Sequence, residues 1–260
     1  MIIGQWRLRL TRCCEVASTA HSILESMDDL RHNLDVLGFS MVPDLLDPDE
    51  IDSLIAALSA VDASDAVRKR GGVYAIRNLL AIVPAVARLA TSDKLVSLVQ
   101  SALGKDAFAV RGTLFDKTPD ANWLVPWHQD LTICLKQRID AAGFGPWTIK
   151  ACVHHVQPPI AILEAMLAVR IHLDDCNERN GALRILPSTH HSSRFTAEQV
   201  DFAQRSNSPV TCSVRRGGAV LMKPLVLHAS SAAVEPAHRR VIHIDYALPT
   251  LPSGLEWFAE

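Results

Sequence analysis

The stretch GGAVLMKPLVLHASSAAVEPAHRRVIHIDYAL, residues 217–248, decides the fold. It holds two apolar, branched runs, 218–228 and 239–248, separated by a small-residue segment with Pro236, and each run reads as a strand. Runs of the same texture precede them: AFAVRGTLF (107–115), AMLAVRIHLDD (165–175) and GALRILP (181–187), bounded by Gly, Pro and Asn-Gly signals. Short strands at this spacing suit a sandwich or jelly roll, whose interior face can carry a polar site. Upstream of Gly104 the period becomes helical. Asp47 reads as an N-cap, Pro48 as the first helical residue and Glu50 as the closing member of a capping box, and Ile51, Leu54, Ile55 and Leu58 then form one apolar stripe. A second helix is expected from about Asp93, with Leu95, Leu98, Val99 and Ala102 on one face and Gly104 as the stop. The expected class is therefore α+β, helices first and strands after. Residues 27–260 read as a single domain, and residues 1–26, without a sustained period, as a loose N-terminal extension.

Composition excludes several classes. The chain has 260 residues, with 26 Lys+Arg against 28 Asp+Glu, a net charge of −2. A nucleic-acid binder held by phosphate contacts needs a basic field, which this balance does not supply. Apolar residues make up 48%, enough for a proper core, and no apolar run reaches the roughly 20 residues of a membrane span. The start, MIIGQWRLRLTRCC, has no uninterrupted apolar core of the signal-peptide kind. A soluble, cytoplasmic protein is expected, with a small molecule as partner and neither nucleic acid nor membrane. The six cysteines (13, 14, 134, 152, 176, 212) form no C-x-x-C pair, so they read as reduced, packed thiols. Oligomeric state is not legible.

Eleven histidines stand against two tyrosines, which raises the question of a metal site. On a strand, residues i and i+2 share a face, so His-x-Asp can aim an imidazole and a carboxylate at one ion. Two histidines and one carboxylate on one face of an octahedron suit non-haem Fe(II), leaving three positions open. Three tripeptides qualify: His128-Gln129-Asp130, His172-Leu173-Asp174 and His243-Ile244-Asp245. His172 lies on a polar row with Arg170, where it serves equally as a pocket residue. His243 sits in the closing strand, with no strand-rich chain downstream to return a distal histidine. His128 has ample chain behind it. The distal candidate is His228, and Arg239, eleven residues on, can hold a remote carboxylate through a two-pronged contact. His154/His155 and His190/His191 flank prolines and turns and are expected in loops.

These motifs together resemble the phytanoyl-CoA dioxygenase family of Fe(II)/2-oxoglutarate oxygenases. The matching pieces are WHQDL (127–131), NGALRILPSTH (180–190), GGAVLMKPLVLHASS (217–231) and HRRVIHIDYA (238–247), in the family's order, and LDVLGFSMVPDLLDPDEIDSLIAAL (34–58) is similar to its N-terminal part. The resemblance implies a double-stranded β-helix, a jelly-roll, cupin-like core with flanking N-terminal helices. It implies His128, Asp130 and His228 as iron ligands, Arg239 as partner of the far carboxylate of 2-oxoglutarate, Ser230 as a second anchor and Gln129 as a weaker cofactor contact. The cofactors implied are Fe(II), 2-oxoglutarate as co-substrate and O₂, with release of succinate and CO₂. With Asp130 in place no protein-vacated position is left for a halide, so hydroxylation of an unactivated carbon is the outcome implied. Arg111, Arg170, His172, Trp123, Trp127 and Trp147 are the candidate substrate contacts. Two departures stand out: Gly218 is followed by Ala219 where members often carry an acid, and residues 135–165 match no general family pattern and are expected to form a loop at the pocket mouth. The competing expectations are a non-catalytic jelly-roll binding protein and a zinc hydrolase, against which the chain lacks H-E-x-x-H.

Overall fold

The Asp47 side chain accepts the Glu50 N–H and the Glu50 carboxylate accepts the Asp47 N–H, both at 2.9 Å, so the expected capping box forms. Such a cap contributes about 1 kcal/mol. The computed structural model describes residues 27–258 except 63, 65 and 71, and the expectation for residues 1–26 lies outside the described residues. A helix covers residues 27–36 (α1). After it come β1 (Phe39–Val42), α2 (Pro48–Ser59), the hairpin β2 (Val67–Arg70) and β3 (Gly72–Arg77), α3 (Leu79–Ile82), α4 (Pro84–Ala90) and α5 (Asp93–Leu103). The strand-rich part follows: β4 (Phe108–Lys117), β5 (Val125–His128), β6 (Ile133–Leu135), β7 (Trp147–Lys150), β8 (Val153–Val156), α6 (Ile160–Glu164), β9 (Met166–His172), β10 (Leu183–Ile185), α7 (Ala197–Ser206), β11 (Val210–Cys212), β12 (Ala219–Met222), β13 (His228–Ser230) and β14 (Arg239–Ala247).

A seven-stranded sheet, ordered β1-β12-β9-β14-β4-β3-β2, faces a four-stranded sheet, β11-β10-β13-β5, across the jelly-roll interior. Alternation along the strands of the larger sheet sorts its two faces. Leu167, Val169 and Ile171 of β9, Ile242, Ile244 and Tyr246 of β14, and Leu114 of β4 pack outward against Leu34, Ile51, Leu54, Val86, Leu95 and Val99 of the helices. Arg111, Thr113 and Phe115 of β4, Arg170 of β9, and Arg239 and His243 of β14 turn inward and line a cavity. The helical layer thus closes one face and leaves the other for a site.

Two expectations are corrected. The run 218–228 is not one strand: β12 belongs to the larger sheet and β13 to the smaller, and the chain crosses between them at Lys223–Leu227. Pro224 has no N–H to give a ladder, and the Val226 N–H donates to the Lys223 carbonyl in a turn. Residues 135–165 are not a plain loop. A third sheet, β6-β8-β7, buries Ile133, Leu135, Val153 and Val156, and α6 packs Leu163 beside them. Its strands of three or four residues, among Gly143, Gly145 and Pro146, carry too little periodicity to read. His154 and His155 therefore lie on β8, His155 buried, and His190 and His191 lie in a single helical turn at Thr189–His191.

Candidate active site

Antiparallel pairing of β5 with β13 places His128 directly opposite His228, with ring centroids 4.2 Å apart. Each imidazole is oriented by the carbonyl two residues before it: His128 Nδ1 lies 2.9 Å from the Pro126 carbonyl and His228 Nδ1 2.9 Å from the Val226 carbonyl. Carbonyls accept only, so both Nδ1 atoms carry the proton and both Nε2 lone pairs are left to point inward. Asp130 follows β5, its N–H donating to the Pro224 carbonyl at 2.9 Å. Its carboxylate oxygens lie 3.8 Å from His128 Nε2 and 3.6 Å from His228 Nε2. One ligand atom from each residue falls within 4.8 Å of the others, a spacing that fits a single ion. Burial drives the His228 imidazole down to about 4, beyond what Asp130 returns to it, so it stands neutral with a free lone pair. Burial alone would raise the Asp130 carboxyl, but His228, His243 and His128 together hold it below its ordinary value. A neutral imidazole and an ionised carboxylate are the forms a metal takes.

Beside the cluster, the larger sheet buries two cations. Arg239 and Lys117 are cross-strand partners on β14 and β4, 3% and 1% exposed. Arg239 Nη1 donates to the Gly181 carbonyl at 2.6 Å and its Nε has no partner. Lys117 Nζ donates to Ser230 Oγ at 3.1 Å and to the Ser231 carbonyl. Gly181, at φ +77, is required here: a Cβ would stand 2.5 Å from the Ser231 oxygen and 3.0 Å from Lys117 Nζ. Burial and then Arg239 push the Lys117 ammonium down to about 7. Two buried cations whose side-chain partners are carbonyls, a hydroxyl and the Cys176 sulfur fit an incoming carboxylate, and Ser230, accepting from Lys117, keeps its own hydrogen to donate.

A buried chain of charges backs the cavity. Arg111 donates to Asp245 from Nε and Nη2, both at 2.6 Å; His243 Nε2 meets Asp245 at 2.9 Å, and Arg170 Nη1 meets His243 Nδ1 at 2.8 Å. Burial opposes ionisation of Asp245, yet Arg111 and His243 hold its carboxyl well below the usual range. Arg170 is lowered by burial and by Arg239. His172 is buried behind this row, both ring nitrogens unpartnered, and burial with Arg170 and Arg239 drives it down to about 3. The Asp174 carboxylate turns away to Arg240, so His172-x-Asp174 does not assemble.

The structure thus brings His128, Asp130, His228, Ser230, Arg239, Arg111, Arg170 and Trp123 to one cavity of about 210 Å³. Four sequence candidates lie elsewhere, His172 behind the charged row and three more on other faces. Gln129 sits one residue out of phase with His128 and Asp130; it donates to the Leu225 carbonyl and accepts from the Phe195 N–H. Trp127, out of phase likewise, packs on Leu186, Ala203 and Leu227 under Arg184. Trp147 stands on β7 against His154 and Arg138. Sequence reasoning missed Lys117 and the coupling of His243 to Asp245. Strand parity could have found both: Lys117 is in phase with Arg111, and His243 with Arg239.

These features define a jelly-roll protein whose cavity holds a two-histidine, one-carboxylate cluster with the spacing of a metal site, beside a pair of buried cations. The family model described as phytanoyl-CoA dioxygenase (PhyH) matches residues 34–241, and the chain belongs to that family. No curated protein matches it. Among solved structures it is similar to the epimerase SnoN from nogalamycin biosynthesis in complex with Fe3+, alpha ketoglutarate and nogalamycin RO, at 18% identity and TM-score 0.65, covering 87% of this chain and 85% of that one. AviO1 from Streptomyces viridochromogenes Tue57 matches at 21% identity and TM-score 0.64 over 87% of this chain and 96% of that one. EctD from S. alaskensis with 2-oxoglutarate and 5-hydroxyectoine matches at 18% and 0.66 over 84% and 75%. They share its fold. No helix among the described residues is long and apolar enough to cross a membrane.

Proposed function

We propose that the chain is an Fe(II)- and 2-oxoglutarate-dependent oxygenase that hydroxylates an unactivated carbon of a small molecule. The observation that carries this is the meeting of the His128–Asp130–His228 cluster with Arg239 and Ser230 in one cavity, with Lys117 hydrogen-bonded to Ser230 behind it. An ion chelated by a keto acid needs a second charged anchor for the far carboxylate, and among the described residues neither the Arg239 nor the Lys117 side chain is paired with an acid. Bound iron would supply C–H oxidation coupled to decarboxylation of 2-oxoglutarate to succinate and CO₂. The chain's own part is to hold and exclude. His128 and His228 present lone pairs fixed by backbone carbonyls, Asp130 adds charge, Arg239 and Ser230 orient the dicarboxylate, and the two sheets keep the chamber dry. Asp130 fills the position that a halide would need, which favours hydroxylation.

Anaerobic addition of Fe(II) and 2-oxoglutarate is expected to give a visible charge-transfer band near about 500 nm, the mark of a keto acid chelated at an open iron site. The band should vanish in His128→Ala. Intact iron binding without the band or any 2-oxoglutarate affinity would overturn the reading. Succinate release with a candidate substrate, and a product heavier by one oxygen atom, would establish hydroxylation.

A further inference from the structure

The ligand cavity has a neighbour. Arg111, Thr113 and Phe115 of β4 border both it and a second chamber of about 160 Å³. Arg77, Lys150 and His155 also line this chamber, and no carboxylate does. Arg77 ends β3 and Lys150 ends β7, so segments far apart in sequence bring their cations to one place. Arg77 Nη1 is buried without a hydrogen-bond partner. Burial, followed by Arg68 and Arg111, lowers the Arg77 guanidinium, and burial, Arg111, Lys150 and Arg77 push His155 down to about 4. Asp245 answers the charge of Arg111, but nothing lining the chamber answers Arg77 or Lys150.

The turn that presents Lys150 is held against its own preference. Ala151 and Cys152 sit at φ 48 and 63, left-handed without being glycine, and Asn78, itself at φ 52, donates from Nδ2 to the Ala151 carbonyl at 3.3 Å. Strain of this kind persists only where the surroundings enforce it, and it concentrates at binding sites.

We infer that the side chamber is an oxyanion subsite, and that the substrate seats a phosphate or sulfate group there while a neighbouring carbon faces the His128–Asp130–His228 cluster past Arg111, Thr113 and Phe115. Two uncompensated cations match a dianion better than a carboxylate. The subsite stands on its own residues; only its use for substrate rests on the oxygenase reading.

The test titrates inorganic phosphate, sulfate and acetate by calorimetry into protein loaded with Fe(II) and saturating 2-oxoglutarate under nitrogen. Phosphate and sulfate are expected to bind ahead of acetate, about tenfold more weakly in Arg77→Met and in Lys150→Gln, with most of the affinity restored in Arg77→Lys. Lys150→Gln alters an exposed hairpin end and leaves the core intact, so folding does not confuse the result. Arg239→Met, titrated without 2-oxoglutarate, should keep the phosphate site. Phosphate binding that survives both Arg77→Met and Lys150→Gln, or that disappears in Arg239→Met alone, overturns the subsite, and acetate binding ahead of phosphate overturns the dianion. A failure of 2-oxoglutarate to bind the wild type would instead strike the oxygenase reading and leave the phosphate result standing.

Discussion

The two sheets that enclose the cavity orient their functional groups in different ways. On the four-stranded sheet, His128 and His228 are each fixed by a carbonyl two residues back in the chain, Pro126 on β5 and Val226 in the turn that enters β13. On the seven-stranded sheet, Arg111, Asp245, His243 and Arg170 are fixed by one another, across three strands. The first arrangement is local and separable, one ligand at a time. The second is collective, so removing one member leaves buried charge behind. Damage to the smaller sheet should cost chemistry, and damage to the larger should cost stability.

The largest effect expected is on the smaller sheet. His228→Ala removes a ligand lone pair from a centre with only three protein donors, and iron content and turnover should fall on the order of a thousandfold. The melting temperature should move far less, since the imidazole hydrogen bond it loses is local, to the carbonyl two residues back. A large loss of stability with iron retained would break the distinction between the sheets.

The converse test is Asp245→Asn. It leaves the largely buried Arg111 without its carboxylate, a change that costs about 3–5 kcal/mol in buried pairs. Iron binding should persist in the folded fraction. The wild-type pair also sets an acid limit: because the Asp245 carboxyl is depressed in the fold, its stabilisation is present above its ordinary range and is lost as pH falls below about 4. Denaturant midpoints measured against pH should show that loss in the wild type and a flatter curve in the variant.

The same contrast explains what could be read from the sequence. His128, Asp130 and His228 are legible because their geometry is made within five residues of chain and one strand pairing, as are the Asp47 cap and the stripe of Ile51, Leu54 and Leu58. The break at Pro224 was missed because both halves of 218–228 are apolar, and only sheet membership separates them. Lys117 was missed because β4 runs two residues past its apolar run, where a buried lysine contradicts composition and is explained only by Ser230 and Arg239 from distant strands. The β6-β8-β7 sheet is built from strands too short to carry a period. Long-range pairing, not local preference, decides each of these.

A smaller effect separates His155 from the rest. Its imidazole stays neutral in the fold down to about 4, while in the unfolded chain it takes a proton near 6.5. As pH falls from about 6.5 to 4 the unfolded state binds the extra proton, so the contribution of His155 to stability declines across that window and levels off below it, by at most about 3 kcal/mol. His155→Gln should remove its share of this slope and leave the shares of His228 and His172, also depressed by burial, with the acid limb set by Asp245. An unchanged slope would place the proton uptake on another histidine.

The smallest effect falls at the join between the sheets, where Lys117 of the larger reaches Ser230 of the smaller. Arg239→Met should weaken 2-oxoglutarate binding about a hundredfold, because a charge-assisted contact is lost in a dry pocket, and Lys117→Met only about tenfold. Their pH profiles should differ more than their magnitudes. Lys117 stands near 7 in the free pocket, held there by burial and by Arg239, and an entering carboxylate favours its charged form. Binding then takes up a proton above that value, so wild-type affinity for 2-oxoglutarate should fall as pH rises from about 7, and Lys117→Met should show a flat profile over the same range. An equal pH slope in the two proteins would mean that Lys117 serves only to hold Ser230 and the Ser231 carbonyl in place, and that the larger sheet contributes one cation to the pocket instead of two.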